Sequence, residues 1–337
     1  MIFIPTTIRD VAKAAGVSIT TVSRALNGYS DVRSETRKRV VRIAEELHYR
    51  PSAVARSLVR NRTQTVGLLV SDLAQSPSGH HFMFEVLRGV HDRLAELGYE
   101  LILVSTSTAR QRLVSYLDMC TERRFDGVIV MGIRLDDPYV REVVEAPLPS
   151  VCVDVPLLSD HCGYVMTDNF HGAHSAMKHL LSKGHRKIGF VNGYSQAAVS
   201  RERLRGYQDT LQAEGMEWDP SLVYEGDFTT KGGELGTKEL LQRHPDITGL
   251  FFASDLMAIG GLRYAASKPV RVPEDLAIVG FDDIELAEFV TPGLTTIRQR
   301  RYEMGQTAVE MLIGMLLRNE QPAGRVLAPE LIIRQST

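Results

Sequence analysis

The sequence predicts an α/β protein in two parts: a small all-helical head, and a larger body in which parallel strands alternate with helices. The first 50 residues carry apolar side chains at helical spacing. From Thr65 onward, short apolar runs alternate with helical stretches. A length of 337 residues is enough for about two domains with a substantial core.

Three short helices are predicted for the head. Thr7 and Asp10 form a capping-box pattern at the start of the first helix, with Asp in place of the usual Glu or Gln. Gly16 is expected to end this helix, because glycine readily adopts the left-handed conformation of a helix C-cap. Ser18 and Ser34 are expected to cap the second and third helices.

Charge and cysteine content limit the classes of protein that the chain can be. Residues 1–65 hold twelve Lys and Arg against five Asp and Glu, so the head carries +7 and the rest −9 of a net −2. A basic head on an acidic body points to a polyanion that binds the head alone. Three cysteines without a C-x-x-C pair, no membrane-length apolar run and no signal peptide predict a cytoplasmic protein without disulfides.

The spacing of Ala12, Gly16 and Val22 fits a helix-turn-helix, which needs a small residue at the crossing, a glycine in the turn and an apolar packing residue. Any three-helix bundle could contain these residues, but the basic charge of the same segment favours a DNA reader. The outer face of the second helix would then contact the duplex. Candidate base contacts are Ile19, Thr20, Ser23 and Arg24, and candidate phosphate contacts are Ser18 and Thr21.

The body alternates strand and helix. This implies parallel sheets with right-handed crossovers, and the number of strands fits two sheets around a cleft better than one sheet. The expected strands are Val66–Val70, Leu101–Val104, Val128–Met131, Val151–Val153, Ile188–Val191, Leu222–Tyr224, Leu250–Ala253, Ala277–Val279 and Glu330–Arg334. The expected helices include Phe82–Leu97, Phe170–Ser182, Arg201–Glu214, Lys231–Leu241 and Leu256–Ala266.

Ligands of parallel α/β sheets bind beyond the carboxyl ends of the strands. Carboxylates, an arginine and aromatic side chains at these positions suit a sugar, although a nucleoside would also fit. Asp255 and Asp283 are the carboxylates most expected to cap helices instead. The candidate contacts are Ser71, Asp72, Phe82, Met83, Asp154, Arg203, Asp227, Phe228, Ser254 and Asp282.

No motif in the sequence supports catalysis. Ser175 and Lys178 match S-x-x-K without its companion motifs, and His171 and His174 lack convergent partners for a metal. Neither a phosphate-binding glycine motif nor G-x-S-x-G occurs. We therefore expect no enzyme activity, no cofactor and no metal.

Specific motifs run along the whole chain. They are Thr7–Ser18 (TIRDVAKAAGVS), Thr21–Asn27 (TVSRALN), Tyr49–Leu58 (YRPSAVARSL), Gly184–Gly189 (GHRKIG), Phe252–Asp255 (FASD), Val279–Asp283 (VGFDD), Leu294–Ile297 (LTTI) and Arg334–Thr337 (RQST). In combination, they resemble the lactose/galactose-repressor (LacI/GalR) family of transcription regulators over essentially the whole chain from Thr7.

The resemblance implies a domain organisation. Residues 1–50 would be the helix-turn-helix domain, 51–64 a hinge helix and linker, and 65–337 an effector-binding and dimerisation body like the periplasmic sugar-binding proteins. The N-lobe of the body would comprise 65–167 and 299–326, and the C-lobe 168–298 and 327–337. A hinge helix of about eight residues is too short to persist alone in water, so we expect it to order only on DNA.

The resemblance also implies functional residues. Operator contacts would include Asn27, Ala55 and Leu58, the last matching the family's leucine wedge in the minor groove. Effector contacts would include the residues that match the sugar-binding members, namely Asp154, Arg203, Phe228 and Asp282. Ser254 stands where those members have Asn, which leaves the identity of the effector open.

The implied function is a ligand-controlled repressor that binds double-stranded operator DNA. The chain stops at Thr337 without a leucine-heptad tail, which predicts a homodimer on a two-fold operator. The effector is expected to be a small molecule, a sugar by preference. A nucleobase-responsive, corepressor-dependent repressor is one alternative, and a solute-binding receptor, which would need export, is another. A global regulator controlled by a phosphorylated carrier protein is a third, disfavoured because Glu310–Ile313 lacks that subgroup's Arg-Leu-Leu run.

Overall fold

Apolar side chains at helical spacing give the head three helices in the computed structural model, which describes residues 6–26, 29–49, 62–71 and 80–337. These helices are α1 (Ile8–Ala15), α2 (Ile19–Leu26) and α3 (Ser34–Glu46). Val11, Val22 and Val40 have no exposed surface and form the centre of the head. The chain divides into two compact units, 1–63 and 64–337, and each is described separately.

The predicted ends of the head helices are partly correct. The Asp10 carboxylate accepts hydrogen bonds from the Thr7 N–H (2.8 Å) and hydroxyl (2.7 Å), and Gly16 ends α1 with φ at 64°. The Ser18 hydroxyl caps α2 by accepting the Thr21 N–H at 3.0 Å. The prediction for Ser34 is wrong, because the chain enters the helix one residue earlier and Arg33 occupies the cap position.

The strands of the body are β1 (Thr65–Ser71), β2 (Glu100–Thr106), β3 (Gly127–Met131), β4 (Ser150–Val153), β5 (Cys162–Thr167), β6 (Ile188–Asn192), β7 (Val223–Glu225), β8 (Gly249–Phe252), β9 (Ala277–Asp282), β10 (Thr295–Arg298), β11 (Gly324–Leu327) and β12 (Glu330–Ile332). Within the described residues, they form two six-stranded sheets. The first, in the N-lobe, is wholly parallel in the order β11-β5-β4-β3-β1-β2. The second, in the C-lobe, has the order β12-β10-β9-β8-β6-β7, and only β12 is antiparallel to its neighbour.

Helices cover both sheets, so central strands such as β3 and β9 are buried along their whole length. The α/β fold with parallel sheets is confirmed, and each predicted strand has a counterpart. Three strands were not predicted: β5, β10 and β11. The helices of the body are α4 (His80–Glu96), α5 (Thr108–Gln111), α6 (Tyr116–Glu122), α7 (Pro138–Glu145), α8 (Asn169–Ser182), α9 (Ala198–Ala213), α10 (Thr230–Arg243), α11 (Asp255–Ala266), α12 (Leu286–Phe289) and α13 (Arg301–Arg318), with a 3₁₀ turn at Pro220–Leu222.

The chain passes between the two lobes three times: after β5, after β10 and between β11 and β12. As a result, α13 packs on α4 and the N-lobe sheet, whereas α8 packs on α9 and the C-lobe sheet. Within the described ranges, no helix has the length and apolar character needed to cross a bilayer.

Candidate functional site

The outer face of α2 carries the predicted DNA contacts. Val22 and Ala25 turn inward and are buried, which leaves Ile19, Thr20 and Arg24 exposed. The period of the helix thus separates the packing residues from the candidate base contacts. Three further predicted contacts, Asn27, Ala55 and Leu58, lie outside the described residues.

The hydroxyl groups at the start of α2 are already hydrogen-bonded. Ser18 Oγ and Thr21 Oγ1 lie 2.9 Å apart, and Ser18 Oγ also caps the helix. Ser23 is half-buried on the same helix. Ser18 and Thr21 therefore lie together at a helix N-terminus, where hydroxyls and the helix dipole favour a phosphate oxygen.

Arg24 is held by an acidic and an aromatic neighbour. Its Nη2 lies 2.6 Å from Asp31 Oδ2 and its Nε lies 3.2 Å from Asp31 Oδ1. The guanidinium carbon is also 5.2 Å from the centroid of the Tyr29 ring. Both partners of the ion pair are about half exposed, so it exchanges readily for a stronger partner. Arg24 would need its Nε and Nη2 donors to bind guanine, so its ion pair with Asp31 has to break first.

A cavity of about 410 Å³ lies between the two sheets of the body, at the carboxyl ends of their strands. Strands from both lobes contribute to its wall, as expected for a ligand site in parallel α/β sheets. The structure brings together in this wall every effector contact proposed from the sequence within the described residues. They are Ser71, Phe82, Met83, Asp154, Arg203, Asp227, Phe228, Ser254 and Asp282. Asp72 lies outside the described residues.

Arg203 supplies a buried cation at this cavity. It lies on the second turn of α9, and only 3% of the residue surface is exposed. Nε donates to Asn169 Oδ1 at 2.8 Å, Nη1 donates to the Ala253 carbonyl, and the guanidinium carbon stacks 3.8 Å from the centroid of the Phe281 ring. These contacts fix the plane of the guanidinium, so its orientation is set before any ligand binds.

Burial and charge act in opposite directions on Arg203 and its carboxylates. Burial lowers the pKa of Arg203, and Asp282, Asp154 and Asp255 counteract this. Burial raises the pKa of Asp154 to about 6, against the effect of Arg203. Burial likewise raises the pKa of Asp282, whose Oδ1 accepts a 2.6 Å hydrogen bond from Gln299 Nε2. Buried charged groups whose pKa values are shifted in this way are typical of functional sites.

Among the described residues, two buried acceptor atoms of the cavity wall have no hydrogen-bond partner: Asp154 Oδ1 and Gln299 Oε1. An unpaired buried acceptor costs about 1–3 kcal/mol, so it favours a ligand that donates. The backbone here is also unusual. Asp154, Phe228 and Asp282 have φ values of 63°, 61° and 122°, a region that favours glycine. Such strain clusters at ligand sites.

The predicted caps Asp255 and Asp283 are wrong. Ser254 is the cap of α11, since its hydroxyl accepts the Met257 N–H at 3.3 Å. The fully buried Asp255 instead accepts hydrogen bonds from the Thr296 hydroxyl and, at 2.8 Å, from the Ile284 N–H. It thereby links the segment that follows β8 to the segment that follows β9 and to the first half of β10.

Asp283 forms ion pairs rather than a cap. Its carboxylate lies 2.7 Å from Arg298 and 2.7 Å from Arg334. Because Arg298 ends β10, directly before the chain crosses to the N-lobe, these pairs fix the position of that crossing. Sequence reasoning could not foresee this, because the three residues come from segments that meet only in the folded C-lobe.

Further residues of the site were not predicted, among them Arg134, Tyr194, Gln299 and Asn169. The first three line the cavity, and Asn169 orients Arg203. Gln299 follows the unpredicted strand β10, so recognition of that strand would have found it. Arg134 and Tyr194 follow strands that were predicted, three and two residues beyond their ends. Among the described residues, no cluster of His, Cys, Asp or Glu is suited to hold a metal.

The geometry defines a class of protein: a helix-turn-helix unit joined to a two-lobed body with a polar cavity is the architecture of a ligand-binding transcription regulator. Comparison with known proteins agrees. The family model described as "Bacterial regulatory proteins, lacI family" matches residues 7–52, and that of a "Periplasmic binding protein-like domain" matches residues 177–337.

Relatives match over nearly the whole chain. The HTH-type transcriptional repressor PurR of Aliivibrio salmonicida is 36% identical, and the regulator CelR of Thermobifida fusca is 37% identical, each over 98% of both chains. The Lac repressor dimer bound to operator and the anti-inducer ONPF has a TM-score of 0.85 at 27% identity, covering 99% of both chains. A complex of CelR with cellobiose has a TM-score of 0.76 at 35% identity, covering 98% of this chain and 100% of that one. The chain belongs to the LacI family of bacterial regulatory proteins, and these relatives are transcriptional regulators rather than enzymes.

Proposed function

We propose that this chain is a homodimeric repressor whose affinity for a pseudo-palindromic operator is controlled by a neutral sugar in the cavity between its lobes. The observation that carries the proposal is the arrangement of a fixed buried arginine, partly unpaired acceptors and aromatic rings around one cavity. In each half-site, Ile19, Thr20 and Arg24 would read bases in the major groove.

The chemistry of the wall favours a polyhydroxylated ligand. Sugar hydroxyls can donate to Asp154 Oδ1 and Gln299 Oε1 and accept from Arg203, while an aromatic ring such as Phe228 packs on an apolar face of the sugar. The carboxylates of the wall outnumber its arginines, which disfavours a phosphate or other anion. Relatives described as a CelR–cellobiose complex, a Lac repressor bound to ONPG and a ribose operon repressor support a sugar.

A second copy of the chain is the proposed partner of the edge strand β2. Ile102 and Leu103 on this strand are 41% and 44% exposed, and Leu113, which follows the strand in the sequence, is 85% exposed. An edge strand with open hydrogen-bonding groups and apolar side chains is a pairing surface unless something covers it. A two-fold dimer would cover it with the same surface and would match a two-fold operator.

The test is operator selection from fragmented genomic DNA, followed by fluorescence-anisotropy titration of the recovered site against a panel of mono- and disaccharides. We expect one sugar to change operator affinity by at least about fivefold, and Leu103→Asp to convert the dimer to a monomer in light-scattering measurements. Feeble, sequence-independent binding that no compound changes would overturn the proposal.

A nucleobase is the second candidate effector, because the cavity also holds aromatic rings that could stack on a base: those of Phe82, Tyr194 and Phe228. Purine and pyrimidine bases therefore belong in the same panel. A response to a base but to no sugar would replace the sugar proposal.

A further inference from the structure

Two loops of opposite lobes meet beside the cavity. Residues 132–137 follow β3 of the N-lobe, and residues 193–197 follow β6 of the C-lobe. The Leu135 N–H donates to the Gln196 carbonyl at 2.9 Å. Next to this bond, the guanidinium carbon of Arg134 lies 4.8 Å from the centroid of the Tyr194 ring. We call these two contacts the interlobe clasp.

A buried carboxylate holds the N-lobe side of the clasp. Asp137, which is 4% exposed, accepts from the Arg134 N–H at 2.9 Å and from the Thr108 hydroxyl at 2.5 Å. Gln111, also buried, donates to Ser71 Oγ at 3.2 Å and faces Asp137 from the same amide at 3.5 Å. The loop that carries Arg134 is thereby tied to the end of β1, where Ser71 lines the cavity.

Aromatic packing holds the C-lobe side. The Phe228 ring lies edge-on to the Tyr194 ring, with centroids 5.1 Å apart and planes at 88°. Gly193 allows this approach, since a Cβ at that position would lie 2.0 Å from the Phe228 ring. The ring that Arg134 contacts is therefore positioned by a residue of the cavity wall itself.

We propose that the interlobe clasp holds the two lobes in the closed arrangement without a ligand, and that Arg134 and Tyr194 thereby determine how tightly the cavity retains its effector. The proposal rests on the proposed function, because closure matters only if the cavity binds an effector. Both side chains line the cavity, so a ligand and the clasp stabilise the same closed state. The apparent affinity for an effector scales with the population of the binding-competent state.

The clasp is tested in the full-length, ligand-free protein by amide hydrogen exchange at Leu135, whose N–H crosses between the lobes. Loss of a cation–π contact of this kind should speed that exchange about two- to fivefold in Arg134→Ala. Tyr194→Leu should have the same effect, whereas Tyr194→Phe, which keeps the ring, should behave as the wild type. Arg141→Ala is the matched control, because Arg141 is an exposed arginine of the N-lobe outside the clasp.

Unchanged exchange at Leu135 in both Arg134→Ala and Tyr194→Leu would overturn the proposal. Faster exchange spread over both sheets in these variants would also overturn it, because the contact would then support the fold as a whole rather than the lobe closure. The experiment needs no effector, so its result is independent of the sugar panel. If no sugar acts but Leu135 exchange responds, the clasp stands and the proposed effector fails.

Discussion

The buried carboxylate of Asp154 is expected to lower the stability of the ligand-free protein and to bind the effector. The substitution Asp154→Asn tests both expectations. The pKa of Asp154 is raised from 3.8 to about 6 by burial, so the folded protein holds the proton more tightly than the unfolded chain. The contribution of Asp154 to the free energy of unfolding is therefore most favourable below about pH 4 and becomes less favourable as the pH rises from about 4 to about 6. The full cost of the ionised form is about 3 kcal/mol above pH 6. We expect the actual cost in unfolding free energy to lie between about 1 and about 3 kcal/mol, because Asp154 is only partly shielded from solvent.

Asparagine is the suitable replacement, since it has nearly the same shape and tolerates the left-handed φ of 63° at this position about as well as aspartate. Asp154→Asn should be more stable than the wild type at neutral pH. The difference in unfolding free energy should grow by about 1 kcal/mol between pH 5 and pH 7.5. The same variant should lose the effector response, because the carboxylate acceptor is gone.

Urea unfolding over this pH range, with circular dichroism as the signal, measures the effect. Asp160→Asn is the control, because Asp160 is an exposed carboxylate of the same lobe. A variant that is less stable than the wild type at pH 7, or a stability difference that does not change with pH, would refute the reasoning.

Three further predictions concern single side chains. Arg24→Ala should cost about 1–3 kcal/mol at one base pair of each half-site and relax the preference there, measured on single-base operator variants; uniform weakening on all sequences would make Arg24 a phosphate contact. Arg203→Lys keeps the charge but cannot reproduce the planar bonds to Asn169 and Ala253, so effector affinity in calorimetry should fall about 10- to 100-fold with operator affinity unchanged. An unchanged effector affinity would show that Arg203 does not bind the effector. Leu58 lies outside the described residues, and its role is predicted from the sequence. Leu58→Ala should bend the operator less than the wild type does, measured by fluorescence energy transfer between the operator ends. Equal bending by both proteins would contradict the insertion of Leu58 between base pairs.

Much of the fold could be predicted from the sequence, because most strands and helices have a recognisable pattern of apolar residues within their own segment. Central parallel strands are buried on both faces, so runs such as Val128–Met131 are continuously apolar and easy to recognise. Two of the three strands that were missed, β10 and β11, lack that signal. β11 is an exposed edge strand that contains Arg325, and β10 begins with Thr295 and Thr296, whose buried hydroxyls bond to partners distant in sequence.

The cavity wall was foreseeable for a different reason. The carboxyl ends of parallel strands converge, so residues that follow predicted strands, such as Asp154 and Asp282, are brought together by topology. The roles of individual carboxylates were not foreseeable. Asp255 and Asp283 look like helix caps in the sequence, but their partners Thr296 and Arg334 come from segments 41 and 51 residues away.

The account depends on energetic coupling between the cavity and the operator, and thermodynamic linkage tests it most directly. The measurement is the affinity of the identified effector for the free protein and for the operator-bound protein, alongside operator affinity with and without effector. The two ratios must be equal, and we predict a shared factor of about 5–150. An effector that binds with the same affinity to the free and the operator-bound protein would contradict the central claim.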